Sequence, residues 1–468
     1  MIRPKDFCKW STEDEAKRKP IIDEVVLEDF ITQCGFRCMY DDFRQNDIRM
    51  VRVMDQRVTS SSTNMLYHFL REEISKSHKE WLQPLKAYRV LLFTPAIIQM
   101  VKIEPTLLRD TASKSFIPFN NGIVQITKSD VELKAYGDVL SKKMYLLEDK
   151  IIQRNVDLSL TNYEDGVWYK FCRNAVGKDG LDSLMAAIGY MLHTYKDKSK
   201  ATMVMFSDSD NLDNLNANGG SGKSLIAYYG LKEIRNVHYE DGKAFDPNST
   251  YKFQGLTPAN EIIVIDDIKR GFNQEVLYNM VTGEFAIQVK YKSATRIEFE
   301  DSCKFIITGN FGITLNGGSD KRRIRVIGFT SHYNESNTPT DEFRHRMFED
   351  WTGDRAVEYQ YFYNFMFACI QVYLNKGISD YKYDSVIKKG ISNNYPSNLI
   401  NAIEAVKHRT IGVENAMKMK DWYSLIGVDN NKAVEAFRKT MELDGYVIAE
   451  ISKRVNGLPS KLYYWHKK

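Results

Sequence analysis

Residues Ala217 to Ser224 read Ala-Asn-Gly-Gly-Ser-Gly-Lys-Ser and stand between the apolar run Thr202 to Phe206 and a helical stretch from Leu225 to Arg235. A glycine-rich turn closed by Gly-Lys-Ser, with a strand before it and a helix after it, constrains the backbone and the ligand together. Backbone N–H groups reach phosphate oxygens only where side chains are missing, hence Gly219, Gly220 and Gly222, and the helix N-terminus favours the same negative charge. Asn218, Gly219, Gly220, Ser221, Gly222, Lys223, Ser224 and Leu225 are therefore expected to line a chain of phosphates. In such a loop the lysine reaches the β- and γ-phosphates and the serine ligates Mg²⁺. Ala217 stands where the strict pattern has glycine. A solvated Gly/Ser/Asn loop that binds nothing is the alternative.

About forty residues beyond Ser224 comes Glu261-Ile262-Ile263-Val264-Ile265-Asp266-Asp267. A β-branched run ending in two acids reads as a buried central strand that presents carboxylates at its C-terminal end. Asp266 is expected to hold Mg²⁺ through water and Asp267 to polarise an attacking water; adjacent acids also suit a helix start. A third strand, Cys303 to Thr308, ends in Gly309-Asn310, and an amide there can bind the γ-phosphate, although Gly-Asn is also ordinary turn chemistry.

Between the acids and Asn310, the segment Ala286 to Phe299 alternates as a hairpin whose tip offers Lys290, Tyr291, Lys292 and Arg296. Cations there can neutralise backbone phosphates and the aromatic can stack on a base; a solvated cationic hairpin is the other reading. The cluster Lys321-Arg322-Arg323 leads into the strand Ile324 to Phe329. It is either a solvated edge or a guanidinium placed at a subunit boundary beside the neighbour's γ-phosphate.

A chain of 468 residues is long for one core. Five segments are expected: an α+β domain over 1–110, a hairpin and helical collar over 111–200, an α/β core over 201–331, a helical extension over 332–396 and a winged-helix-like domain over 397–468. Within them, Phe116 to Ile126 carries an Asn-Gly turn between apolar runs, a hairpin signal. Thr63 to Ser75 reads as an amphipathic helix bounded by Ser60-Ser61-Ser62, and Asp165 to Tyr195 as a helical subdomain. In the last segment, helices over Lys418–Val428 and Asn431–Leu443 precede strands flanking the basic loop Lys453 to Gly457. That pattern suits a DNA-binding winged helix or a packing domain with solvated charges.

The formal net charge is +4, and residues 401–468 alone carry 12 Lys+Arg against 8 Asp+Glu, which equals that excess. Six dispersed cysteines without a Cys-x-x-Cys pair suggest reduced thiols in a cytoplasmic protein and argue against structural zinc. Met1 to Asp6 lacks the apolar stretch of a leader, and Phe362 to Leu374 is too short to span a bilayer, so no membrane partner is expected.

The four elements, in this order, resemble the superfamily 3 helicases, AAA+ ring motors of viruses, phages and plasmids. Residues 219–224 look like motif A, Asp266-Asp267 like motif B, Lys290-Tyr291-Lys292 like motif B′ and Asn310 like motif C. The hairpin is similar to the Lys-His-Lys tip of papillomavirus replicative helicases, which contacts single-stranded DNA in the ring channel. Arg323 sits where that family places its arginine finger, with Arg322 as fallback. Residues 115–195 resemble the collar of phage and poxvirus-type primase-helicases.

This resemblance implies an AAA+ P-loop core that binds ATP and Mg²⁺, assembles as a homo-hexamer and unwinds forked DNA along a single strand. The setting would be the cytoplasm of a host carrying a phage or mobile element. Asp267 departs from the glutamate of many AAA+ ATPases. Asp41-Asp42 is the one acid pair in the N-terminal part comparable to a primase centre, and no apolar strand is expected to frame it, so priming would fall to a separate primase or polymerase. Two rivals stay open: a nucleotide-gated origin-binding initiator that unwinds nothing, and an AAA+ protein remodeller.

Overall fold

The chain winds around two separate cores, as its length demands. The computed structural model describes residues 2–86, 102–209, 220–288, 295–312, 318–394, 416–418, 421 and 438–467, less 13, 15, 16, 18, 42, 43, 104, 105, 142, 143, 258 and 457. One unit comprises residues 1–156, 253–260 and 284–301; the other comprises 157–252, 261–283 and 302–468.

In the first unit, helix α1 (Glu24–Gln33) opens on Asp23, whose carboxylate accepts from the Val26 N–H. Helix α2 (Thr63–Ser77) opens on Ser62, whose Oγ accepts from the Met65 N–H at 3.2 Å. Both caps satisfy a helix donor that would otherwise be unpaired. Leu66, Leu70 and Ile74 recur at helical spacing on α2 and are buried with Phe30, Phe36 and Met50. Besides two short two-stranded ribbons, Cys8–Trp10 with Pro20–Ile22 and Phe285–Ile287 with Thr295–Ile297, the strands are β1 (Phe36–Asp41), β2 (Arg44–Met54), β3 (Arg57–Ser60), β4 (Lys102–Ile103), β5 (Thr106–Leu107), β6 (Ser115–Phe119), β7 (Gly122–Ile126), β8 (Val131–Lys134) and β9 (Met144–Leu147). Six of them form a mixed sheet in the order β4-β1-β2-β3-β9-β5, and β8-β7-β6 form an antiparallel one.

The hairpin expected over 116–126 is β6–β7. Its Asn121 amide donates to the Val156 carbonyl at 2.9 Å and accepts the Val156 N–H at 3.0 Å. One expectation is overturned. A strand does lead into the Asp41-Asp42 pair, because β1 ends on Asp41 and pairs with β2 across a register shift at Tyr40/Asp41. The polar residues of Phe-Arg-Cys-Met-Tyr-Asp hid it, although Phe36 and Cys38 on one face and Met39 on the other are buried.

In the second unit, α3 (Val167–Val176) and α4 (Leu181–Leu192) pack with α5 (Glu358–Lys376), whose Phe362, Phe365, Met366 and Cys369 are buried. The approach of α5 to α4 is close enough that a Cβ on Gly189 would stand 2.0 Å from the Cys369 carbonyl oxygen, so only glycine fits there. Among the described residues, no helix is long and apolar enough to cross a membrane. Five strands, β10 (Met203–Asp208), β11 (Val237–Asp241), β12 (Ile262–Asp266), β13 (Lys304–Gly309) and β14 (Ile324–Phe329), form a parallel sheet in the order β11-β12-β13-β10-β14. Every residue of β12 and β13 is buried, as a strand covered on both faces requires. The α/β class expected for this segment is the class observed.

The cores cut across the expected segments. The β6–β7 hairpin belongs to the first unit, where Ile123 packs on Leu140, Leu146 and Ile151, whereas α3 and α4 belong to the second. The 111–200 segment is therefore split near Val156. At the C-terminus, β15 (Tyr446–Val455) and β16 (Leu458–Lys467) form a long antiparallel ribbon. Lys453, Arg454 and Val455, expected in a loop, complete its first strand, and Asn456, with φ +53, begins a much tighter turn. Most of each of the two helices expected before this ribbon lies outside the described residues.

Candidate nucleotide site

Strand β10 lies between β13 and β14, where the strand order changes direction, and ligands in open parallel sheets bind at the carboxyl ends beside such a point. The loop that leaves β10 is described from Gly220 onward. Gly220 and Gly222 have φ +109 and +89, a region that glycine enters without steric cost. A Cβ on Gly222 would also stand 2.8 Å from the Phe171 ring of α3. Helix follows at once, and residues Leu225–Gly230 are π-wound, a widened form common beside functional sites. The expected helix to Arg235 ends earlier, in a turn at residues 233–234.

Lys223 is only 5% exposed. Its ammonium donates to Asp208 Oδ1 at 2.6 Å and to Ser221 Oγ at 2.7 Å, and Ser221 Oγ donates to the same Asp208 oxygen at 2.6 Å. The cation is thus held at the mouth of the loop by the last residue of β10, in the place of an anion. From the next residue, Ser224 Oγ donates to Asp266 Oδ1 at 2.8 Å.

Asp266 ends β12, and its Oδ1 also accepts from Thr308 Oγ1 at 2.5 Å; Thr308 Oγ1 accepts the Asp267 N–H at 2.8 Å. Asp267 takes a left-handed φ of +56, and the strand ends just before it. There Asn310 Nδ2 donates to its Oδ1 at 3.3 Å, and Lys243 pairs with its Oδ2 at 2.5 Å. The hydrogen bond and charge of Asp267 hold the Lys243 ammonium above its ordinary range. Tyr239 stands 3.5 Å from Asp266 Oδ2, and burial followed by the charge of Asp266 raises its phenol. One hydrogen-bonded chain therefore joins Ser224, at the start of the helix after the loop, to Asp266, Thr308, Asp267 and Asn310 at the ends of two strands, β12 and β13.

The structure brings together Lys223, Ser224, Asp266, Asp267 and Asn310 at one sheet edge, with Gly220, Ser221, Gly222 and Leu225 beside them. Asn218 and Gly219 lie outside the described residues, as do Lys290, Tyr291 and Lys292. The strands flanking that tip, Phe285–Ile287 and Thr295–Ile297, pair antiparallel. Arg296 is not at the tip: it lies within the second strand, opposite Ala286, and pairs with Glu284 at 3.3 Å. Arg323 ends a short helix, Gly318–Arg323, and its guanidinium lies 5.4 Å from the centre of the Tyr278 ring. Sequence reasoning missed Asp208, Tyr239, Lys243 and Thr308. Asp208 and Thr308 were legible in principle, one closing a strand and the other next to the end of one beside a motif, whereas Lys243 and Tyr239 reach the site only because β11 pairs with β12.

Residues 215–323 match a family described as a family of unknown function (DUF5906). No curated protein matches the sequence. Among solved structures, the chain is similar to the apo form of the NrS-1 C-terminal region, at 12% identity and a TM-score of 0.39, covering 94% of this chain and 98% of that one. It is also similar to an SCCmec type IV Cch protein titled an active helicase, at 12% identity and a TM-score of 0.37, covering 92% of both chains.

Proposed function

We propose that this chain is an ATP-driven DNA helicase of a phage or mobile element that works as a ring and pulls one strand through it. The hydrogen-bonded chain from Ser224 through Asp266 and Asp267 to Asn310, at the mouth of a glycine-lysine-serine loop, carries the reading. A hydroxyl and a carboxylate 2.8 Å apart form an oxygen-only donor set that suits Mg²⁺ with water completing its shell. Bound there, the ion would neutralise charge on the phosphates.

Lys223 would exchange Asp208 for the β- and γ-phosphates. Asp267 would accept the proton of a water whose oxygen attacks the γ-phosphorus, while the bond to the bridging oxygen breaks and ADP leaves. Asn310 would hold Asp267 and the water in register. Arg323 would come from the adjacent subunit, and a hexamer would place ATP between protomers. Lys290, Tyr291 and Lys292 would track the strand, with a separate primase or polymerase supplying synthesis.

Strand displacement on forked DNA tests this. Replacing Lys290 and Lys292 together by alanine should abolish unwinding and flatten the salt dependence of single-strand affinity, because two fewer phosphates are neutralised per subunit. Basal ATP hydrolysis should persist. Normal unwinding by the double variant would remove the strand-tracking role from these lysines, and a wild-type chain that displaces no strand would favour the initiator or remodeller instead.

A further inference from the structure

The first unit contains a cavity of about 420 Å³, within the range of small-ligand sites, between the β2–β3 end of the six-stranded sheet and the first turns of α2. We propose that it is a second binding site, for the phosphate and base of a nucleotide.

Two arginines project from the same face of the sheet. Arg52 on β2 is paired with Thr59, and Arg57 on β3 with Met54, so the two are diagonal neighbours. Diagonal positions stand about 7–8 Å apart, a span that one phosphate group and its oxygens can bridge. The Arg52 guanidinium lies 4.9 Å from the Phe69 ring centre and 5.2 Å from that of Phe36, and Arg57 lies 4.4 Å from that of Tyr136. Ring stacking fixes each plane while leaving N–H edges free, and Arg52 spends only its Nε on the Cys34 carbonyl. Among the described residues no carboxylate forms an ion pair with either arginine. Two oriented guanidiniums in one cavity, neither held in a carboxylate ion pair among the described residues, suit a phosphate.

The rest of the cavity matches the other end of a nucleotide. Met54 and Met65 are 51% and 55% exposed and, with Phe69, give the cavity an adaptable apolar lining that a flat ring can cover. Glu148, which accepts the Thr59 hydroxyl, and Asp55 line the same wall. They are acceptors for ribose hydroxyls or for base N–H groups. A simple anion would use the arginines alone, and an apolar ligand the methionines alone.

The test uses the full chain carrying Asp208→Asn and Lys223→Ala, which silences the phosphate loop and removes both charges of its ion pair. Equilibrium dialysis is run with ATP and with a 5′-phosphorylated trinucleotide. At least one should bind saturably and lose tenfold or more in affinity when Arg52→Gln and Arg57→Gln are added. Met65→Glu should weaken it similarly by placing a carboxylate in the cavity. That change leaves the fold intact, since residue 65 is more than half exposed on the first turn of α2. Trinucleotide binding alone assigns the site to a strand, and ATP binding alone to free nucleotide. No saturable binding of either, or binding that survives both sets of substitutions, overturns the proposal.

Discussion

Lys223→Ala should lose at least two orders of magnitude of ATP hydrolysis and, in addition, melt at a lower temperature than the wild-type chain. The first effect follows from removing a cation from the phosphates, a loss of about 3–4 kcal/mol by analogy with other charge-stabilising donors. The second follows from Asp208. Its side chain is 15% exposed and its ion pair with Lys223 spans 2.6 Å, so the truncation leaves a largely buried carboxylate with, among the described residues, the Ser221 hydroxyl as its side-chain donor. Breaking one side of such a pair costs about 3–5 kcal/mol when burial is complete, and less here because some solvent reaches Asp208. The Asp208→Asn/Lys223→Ala double variant should regain most of the stability and none of the hydrolysis. Calorimetry and a phosphate-release assay read the two effects separately. A single variant as stable as wild type would mean that the ion pair does not hold in solution; one hydrolysing above about a tenth of the wild-type rate would refute the phosphate-loop assignment.

Asp267→Asn should reduce hydrolysis by about 10²–10⁴-fold, the usual contribution of a positioned base, while ATP affinity stays within a few-fold of wild type. Asparagine is the informative replacement because residue 267 sits at φ +56. Asparagine tolerates that conformation, whereas alanine would add backbone strain of about 1–2 kcal/mol and confuse folding with chemistry. The asparagine carbonyl can still accept from Asn310, so the backbone turn and its partner survive. What is lost is the proton acceptor and the charge that holds Lys243. Single-turnover hydrolysis together with binding of a non-hydrolysable analogue separates the two roles. A variant that hydrolyses ATP normally would move the base elsewhere, and one that no longer binds nucleotide would make Asp267 a binding group.

The glycine-lysine-serine loop, the acids after Ile265 and the strand before Gly309-Asn310 were all legible in the sequence, because each depends on local chemistry. Glycine alone accepts the φ values at 220 and 222, and only continuously apolar runs can form strands buried on both faces. The β6–β7 hairpin and helices α2 to α5 announced themselves through turn residues and periodicity in the same way. Three-dimensional pairing decided the rest. That Lys223 rests on Asp208, that Lys243 and Asn310 divide the two oxygens of Asp267, and that Thr308 links the two acids all depend on the strand order β11-β12-β13-β10-β14. Strand order is set by which faces bury together over long sequence separations, and no local pattern encodes it. The same holds for the division near Val156 and for the cavity beside α2. There, residues as distant as Phe36 and Glu148 share a wall because the sheet that carries them is assembled from strands far apart in the chain.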